Sequence, residues 1–126
     1  MSVSKVLEMR DICFRELDEY GELAPCWDGY DALPFGAETI SYAKRALTET
    51  LRRMIVKGIP PTEIVPGPGH DGSLTLEVSH KEKTVEVLVA PNKKEFEVYK
   101  EDASGETEET YPDLQSLAPV ALWLIS

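Results

Sequence analysis

The sequence has few of the residues from which dedicated chemical sites are built. Its 126 residues include two cysteines and two histidines. It has no Walker loop, no dinucleotide-binding glycine fingerprint and no His-Glu-x-x-His motif. Cys13 and Cys26 are too few for a disulfide framework and fit free thiols in a reducing compartment. We therefore expect a cytoplasmic protein without a cofactor or a metal site.

Long apolar runs are also absent. The most apolar window, Leu117 to Ile125, is much shorter than the ~20 residues that a membrane-spanning helix needs. Glu8 and Arg10 interrupt the N-terminal segment, which argues against a signal peptide. The composition, 42% hydrophobic and 29% charged, is that of a globular chain. We predict a single domain, residues 1–126, that does not contact a membrane.

Basic residues are scarce in comparison with acidic ones. The chain holds 13 Lys and Arg against 23 Asp and Glu, which gives a formal net charge of −10. The excess lies mainly in residues 61–126, with five Lys and Arg against thirteen Asp and Glu. Nucleic-acid binding needs a basic surface, so we exclude that class. A basic protein partner fits this charge, although acidity that only maintains solubility is an alternative explanation.

Apolar residues at helical spacing predict two helices in the first half of the chain. The first spans about residues 3–20, with its apolar positions within one arc. The second spans about residues 37–57, and Gly58, followed by two prolines, predicts its end.

The second half predicts an antiparallel sheet of three or four strands. Alternation of apolar and polar residues indicates strands at about 73–79, 84–90 and 95–100, and Ile64-Val65 is a candidate for a fourth. Residues 101–110 carry five carboxylates and no base, which is typical of an acidic loop or a ragged hairpin. A final helix is predicted at about 113–125. The expected class is α+β, with two N-terminal helices, the sheet and a C-terminal helix.

The polar face of this sheet is the first candidate binding surface. Carboxylates around two exposed apolar side chains would suit a basic, partly apolar protein partner. The alternative interpretation is a solvated face with incidental apolar residues. The candidate contact residues are Glu77, Glu86, Leu88, Glu95, Glu97 and Tyr99.

The segment between the two predicted helices is the second candidate. It reads Cys26-Trp27-Asp28-Gly29-Tyr30, and Pro34 closes it before the second helix. Asp-Gly predicts a turn with positive φ. Trp27 and Tyr30 either fill the gap between helices and sheet or act as anchors for a partner, since Trp and Tyr are favoured at binding hot spots.

This arrangement resembles a family of small, uncharacterised bacterial proteins. The shared features are a helix, Trp-Asp-Gly-Tyr, a proline and a second helix of similar length. The similarity continues through the proline-rich link at 60–66 to the strand after Asp71-Gly72. The chain differs from the family at Asp31, where the family has glycine, and at Val78, where it has an aromatic residue. The resemblance implies no activity and no catalytic residue.

Two other hypotheses remain open. The C-terminal helix is apolar on all sides, so either its own domain or a second copy must cover it. In the second case, the chain is a homodimer or a subunit of a larger assembly, and Trp123 is the candidate interface residue. Alternatively, the chain is an enzyme. Cys26 with His70 or His80 and Asp28 would form the site of a hydrolase, or His70, Asp71 and His80 would bind a metal, although the spacing of these residues requires neither.

The interpretation that we favour is a non-enzymatic acidic domain. Antitoxin, immunity, inhibitor and chaperone proteins are examples of this type, in which a carboxylate-rich surface masks a basic partner.

Overall fold

The computed structural model describes residues 3–69, 71–91 and 93–126. Two long helices come first, followed by five strands and a short C-terminal helix. The helices are α1 (Val3–Tyr20), α2 (Ala37–Lys57) and α3 (Val120–Leu124). The strands are β1 (Glu63–Pro68), β2 (Leu74–His80), β3 (Lys83–Val89), β4 (Phe96–Asp102) and β5 (Gly105–Tyr111). They form one antiparallel sheet in chain order, and the predicted α+β class is confirmed.

The two long helices have the ranges that their periodicity predicted. They pack on each other, and their buried stripes include Leu17 of α1 and Leu47 and Leu51 of α2. Gly58 ends α2 in the left-handed conformation, with φ 65°, which glycine adopts without a Cβ clash. No helix of the described residues has the length and apolar content that a bilayer crossing requires.

The core lies between the helices and one face of the sheet. Alternate residues of β2, β3 and β4 are buried there, and they stand opposite one another in the register, as in Leu76↔Val87 and Val87↔Val98. Period-two alternation therefore divides the sheet into an inner face, packed on the helices, and an outer face.

The predicted strand count of three or four is wrong, because the sheet has five strands. The predicted edge strand at Ile64-Val65 is present as β1. Of the two alternatives for residues 101–110, the hairpin is confirmed and the acidic loop is wrong, because most of this range belongs to β4 and β5, which pair with each other. An Asx turn joins them, in which the Ser104 N–H donates to Asp102 Oδ1 at 2.8 Å. An edge strand needs backbone pairing but no apolar face, so glutamates and threonines suffice.

The predicted helix at about 113–125 is shorter than expected. Asp113 Oδ1 accepts the Ser116 N–H at 2.9 Å, and the chain here forms a 3-10 turn, Gln115–Leu117. Pro119 then precedes α3, where its missing N–H does no harm. Leu117 and Leu124 are buried in the same core as the long helices. The apolar surface of this C-terminal segment is therefore mostly covered by the rest of its own domain.

Candidate functional site

The outer face of the sheet is lined by glutamates, and we call it the acidic face. The register places residues of all five strands side by side on it. None of the helices in the described ranges packs there, since the alternate, buried positions point to the helices on the other side. Within the described strands this face carries no lysine or arginine. Its glutamates are Glu63, Glu77, Glu86, Glu97, Glu101, Glu106 and Glu108.

A row across the middle of the acidic face concentrates the negative charge. Glu77 stands directly opposite Glu86, Glu86 opposite Tyr99, and Tyr99 opposite Glu108. Partial burial, with the charges of Glu77 and Glu106, raises the pKa of Glu86. Like charges at this spacing are destabilising because nothing on the face neutralises them. Here the acidic face forms a shallow hollow of ≈ 350 Å³.

Apolar side chains lie among these carboxylates. The Tyr99 hydroxyl donates to Glu97 Oε2 at 3.2 Å, and this hydrogen bond is the main cause of the raised pKa of Tyr99. Leu88 stands opposite Glu97 and is half-buried. Val65, on β1, is 40% exposed opposite Glu77. The acidic face therefore offers apolar contact surface within a ring of negative charge.

The lysines of the strands lie on the other side of the sheet, around Trp123. Lys83 Nζ lies 5.1 Å from the centre of the Trp123 ring and donates to the Trp123 carbonyl at 3.0 Å. Lys100 Nζ lies 5.7 Å from the same ring and pairs with Glu109 Oε1 at 2.8 Å. Trp123 is thus half-buried beside two lysines of its own chain. Its role as an oligomer interface stays a prediction.

Most of the predicted contact residues share the acidic face, with one correction. Glu77, Glu86, Glu97, Leu88 and Tyr99 are on it. Glu95 is not, because β4 begins one residue later, at Phe96, and Glu95 lies in the exposed connection before it. Sequence reasoning missed the contributions of β1 and β5 to this face. Residues 106–110 read Glu-Thr-Glu-Glu-Thr, which lacks the strict alternation that would have marked them as a strand.

The loop between α1 and α2 is internally hydrogen-bonded. The Cys26 N–H donates to the Ala32 carbonyl at 2.7 Å, and Asp28 Oδ1 accepts the N–H of Tyr30 at 2.9 Å and that of Ala32 at 3.3 Å. Cys26 has φ 61° and Gly29 φ 83°. A cysteine in the left-handed region is held there only by such surrounding bonds. The loop therefore has a fixed local shape.

The two aromatic residues of this loop have different environments. Trp27 donates from Nε1 to the Leu33 carbonyl at 3.0 Å, and its ring lies 5.8 Å from that of Phe35, against the core. Tyr30 is 82% exposed and Leu33 is 54% exposed. The packing interpretation thus fits Trp27 and does not fit Tyr30, which the loop presents to solvent.

The described residues do not form the site that the enzyme hypothesis requires. His70 lies outside the described residues. The loop that contains Cys26 lies beside the start of β2, since the Pro34 carbonyl is close to Gly72. His80 is the last residue of β2, about 20 Å from the start of that strand. Among the described residues, no group of three or more His, Cys, Asp or Glu side chains is arranged to hold a metal.

The other cysteine is a core residue. Cys13 is buried in α1, and burial, with the nearby charge of Glu16, raises the pKa of its thiol to about 12. It stays protonated at neutral pH and is not a nucleophile.

Comparisons with protein-family profiles, with curated proteins and with solved structures found no match. The resemblance around Trp27-Asp28-Gly29-Tyr30 therefore stays a prediction.

Proposed function

We propose that this chain is a protein-binding domain that masks a basic surface of a partner with its acidic face. The observation that carries the proposal is a sheet face on which the described strands place seven glutamates and no lysine or arginine, and which none of the described helices covers. The function class is that of an antitoxin, immunity protein, inhibitor or chaperone. The cytoplasm is the proposed compartment, consistent with the free thiols of Cys13 and Cys26.

The charge of the acidic face supports a basic partner. Glu77 and Glu86 face each other across neighbouring strands, and their repulsion opposes folding. A lysine or arginine between them would relieve that repulsion and gain two ionic partners. Burial and, after it, the charges of Glu77 and Glu106 raise the pKa of Glu86, and a basic side chain of a partner beside this carboxylate would counteract that effect.

The apolar residues supply the contact that charge alone does not. Ion pairs at the rim of an interface mainly speed and orient the encounter, whereas buried aromatic residues carry most of the binding energy. Tyr99 lies between Glu86 and Glu108 in the register, so a partner that neutralises the glutamates would also cover its ring. The mechanism is occlusion, in which the partner's basic surface is held against the sheet.

The proposal is tested by retention of basic proteins from an extract of the native cell on the immobilised chain. We expect a basic protein to bind at low salt, and to bind less as the ionic strength rises past the point where charges are screened over ~10 Å. Glu86→Lys should abolish retention and Tyr99→Ala should weaken it. Glu22→Lys is the matched control, because Glu22 is an exposed glutamate in the connection between α1 and α2.

Two results would contradict the proposal. In the first, Glu86→Lys retains the same protein as the wild type, so the acidic face is not the contact. In the second, Glu22→Lys loses retention equally, so only the net charge matters. Circular dichroism of each variant checks that its fold is unchanged.

A further inference from the structure

One edge strand of the sheet, β1, is protected against pairing with a further strand, and the other, β5, is not. β1 carries Pro66 and Pro68, which have no N–H to offer another strand, and α1 packs against it. β5 has no proline between Gly105 and Tyr111, and its residues 105–110 are exposed. Within the described residues, no backbone hydrogen bond joins β5 to a segment other than β4. β5 is therefore an edge with unused backbone groups.

The register of the last hairpin identifies these groups. Asp102 and Gly105 close a two-residue turn, and such a closing pair exchanges hydrogen bonds. In an antiparallel ladder, hydrogen-bonded and non-hydrogen-bonded pairs alternate. The N–H and C=O groups of Glu106, Glu108 and Thr110 thus point away from β4. The side chains of these three residues lie on the acidic face.

The charge of β5 selects what is able to pair with it. Glu106, Glu108 and Glu109 lie within one strand, and Glu109 pairs with Lys100. If two copies joined through β5, the glutamates of one would meet those of the other, and like charges across strands are destabilising. An extended segment rich in lysine or arginine would instead bring opposite charges next to these glutamates, which stabilises the pairing. The edge therefore discriminates between partners by the sign of their charge.

We propose that β5 accepts an extended basic segment of the partner as a sixth strand, with alternate lysine or arginine side chains over the acidic face. This inference rests on the proposed function and adds the binding mode. Main-chain hydrogen bonds from Glu106, Glu108 and Thr110 supply affinity, and the glutamates of the acidic face select basic side chains at every second position.

The test uses a peptide of alternating lysine and valine, long enough to pair with the seven residues of β5. We expect it to bind the wild-type chain at low salt. Thr110→Pro removes one outward N–H without changing the charge, and proline is tolerated at an edge position. This variant should bind on the order of tenfold more weakly, because a hydrogen bond is lost and the ring obstructs pairing. Thr110→Val, which keeps the N–H, should bind as the wild type does.

A second arm does not depend on how the variant folds. The same peptide, N-methylated at alternate residues, keeps its charge but loses every second backbone donor. Methylation of one of the two alternating sets should abolish binding to the wild-type chain, and methylation of the other should have little effect. The unmethylated peptide should still bind better than a peptide with its lysines and valines in separate blocks.

The outcomes separate this inference from the proposed function. If Thr110→Pro and both methylated peptides bind like their parents while Glu86→Lys loses the peptide, the edge inference is wrong and the acidic face stands. If Thr110→Pro loses the peptide and Glu86→Lys keeps it, the edge inference stands, because a sixth strand beside β5 lies about 14 Å from β3 and the peptide does not reach Glu86. Failure of the unmodified peptide to bind overturns the edge inference, while retention of a basic protein tests the proposed function independently.

Discussion

On the inner face of the sheet, Phe96 and Val98 are buried, and the two lysines of the strands, Lys83 and Lys100, are bound within the domain. On the acidic face, the strands as described place no lysine or arginine beside the glutamates, and Tyr99 lies among them. The inner face uses apolar contact and opposite charges for folding. The outer face has like charges that oppose folding. Stability therefore does not explain the outer face, and the binding role that we propose is an explanation for its composition.

The largest expected effect is on the inner face. Phe96→Ala should lower the free energy of unfolding by about 3–5 kcal/mol, because the ring is fully buried and stacks on Tyr42 at a centroid distance of 5.1 Å. The neighbouring change Glu97→Ala, on the acidic face, should change it by less than about 0.5 kcal/mol. Urea denaturation of both variants measures the contrast. Equal losses would mean that both faces contribute similarly to stability.

A smaller effect is expected for the lysine next to Trp123. Lys83→Met should lower the free energy of unfolding by about 1–2 kcal/mol, since it removes the charged donor to the Trp123 carbonyl and the contact with the indole ring. Lys81→Met removes the same charge from the exposed turn next to it and should have little effect. If both variants lose the same stability, net charge rather than this contact is the cause.

The smallest effect should have the opposite sign. Glu86→Gln is expected to raise the free energy of unfolding by about 0.2–1 kcal/mol at neutral pH and low salt, because it removes the repulsion with Glu77. Glu63→Gln, at the rim of the acidic face, should raise it less. A loss of stability in Glu86→Gln would show that this carboxylate has a favourable partner.

The pH dependence sharpens that test. Burial, Glu77 and Glu106 raise the pKa of Glu86, so the folded chain binds this proton more tightly than the unfolded chain. The ionised carboxylate is destabilising above the raised pKa, and this contribution disappears as the pH falls below the ordinary glutamate pKa. The stability difference between Glu86→Gln and the wild type should therefore shrink as the pH falls through this window. A constant difference would contradict the assignment.

The sequence predicted those helices and strands in which burial of one face gives the apolar residues a regular spacing. The ranges of α1 and α2 and the alternation in β2, β3 and β4 follow from apolar spacing, because one face of each element packs on the core. The outward orientation of Glu77, Glu86 and Tyr99 follows from the same alternation.

The parts that the sequence did not predict lack such a period. β5 has no apolar face, so residues 101–110 fitted an acidic loop as well as a ragged hairpin, and only the pairing of β5 with β4 decides for the hairpin. The first residue of β4 was misplaced by one, which removed Glu95 from the acidic face. The exposure of Tyr30 depends on hydrogen bonds to Asp28 and on the anchoring of Trp27 by the Leu33 carbonyl, and no pattern of residue types encodes these contacts.

The strands lie in the sheet in the same order as in the chain, and this has a kinetic consequence. Each pairing closes a short loop, so the entropy cost of each step is small. Chains dominated by such local pairings fold faster than those that must join distant segments. We therefore expect the sheet to grow hairpin by hairpin, with β5 added last during synthesis.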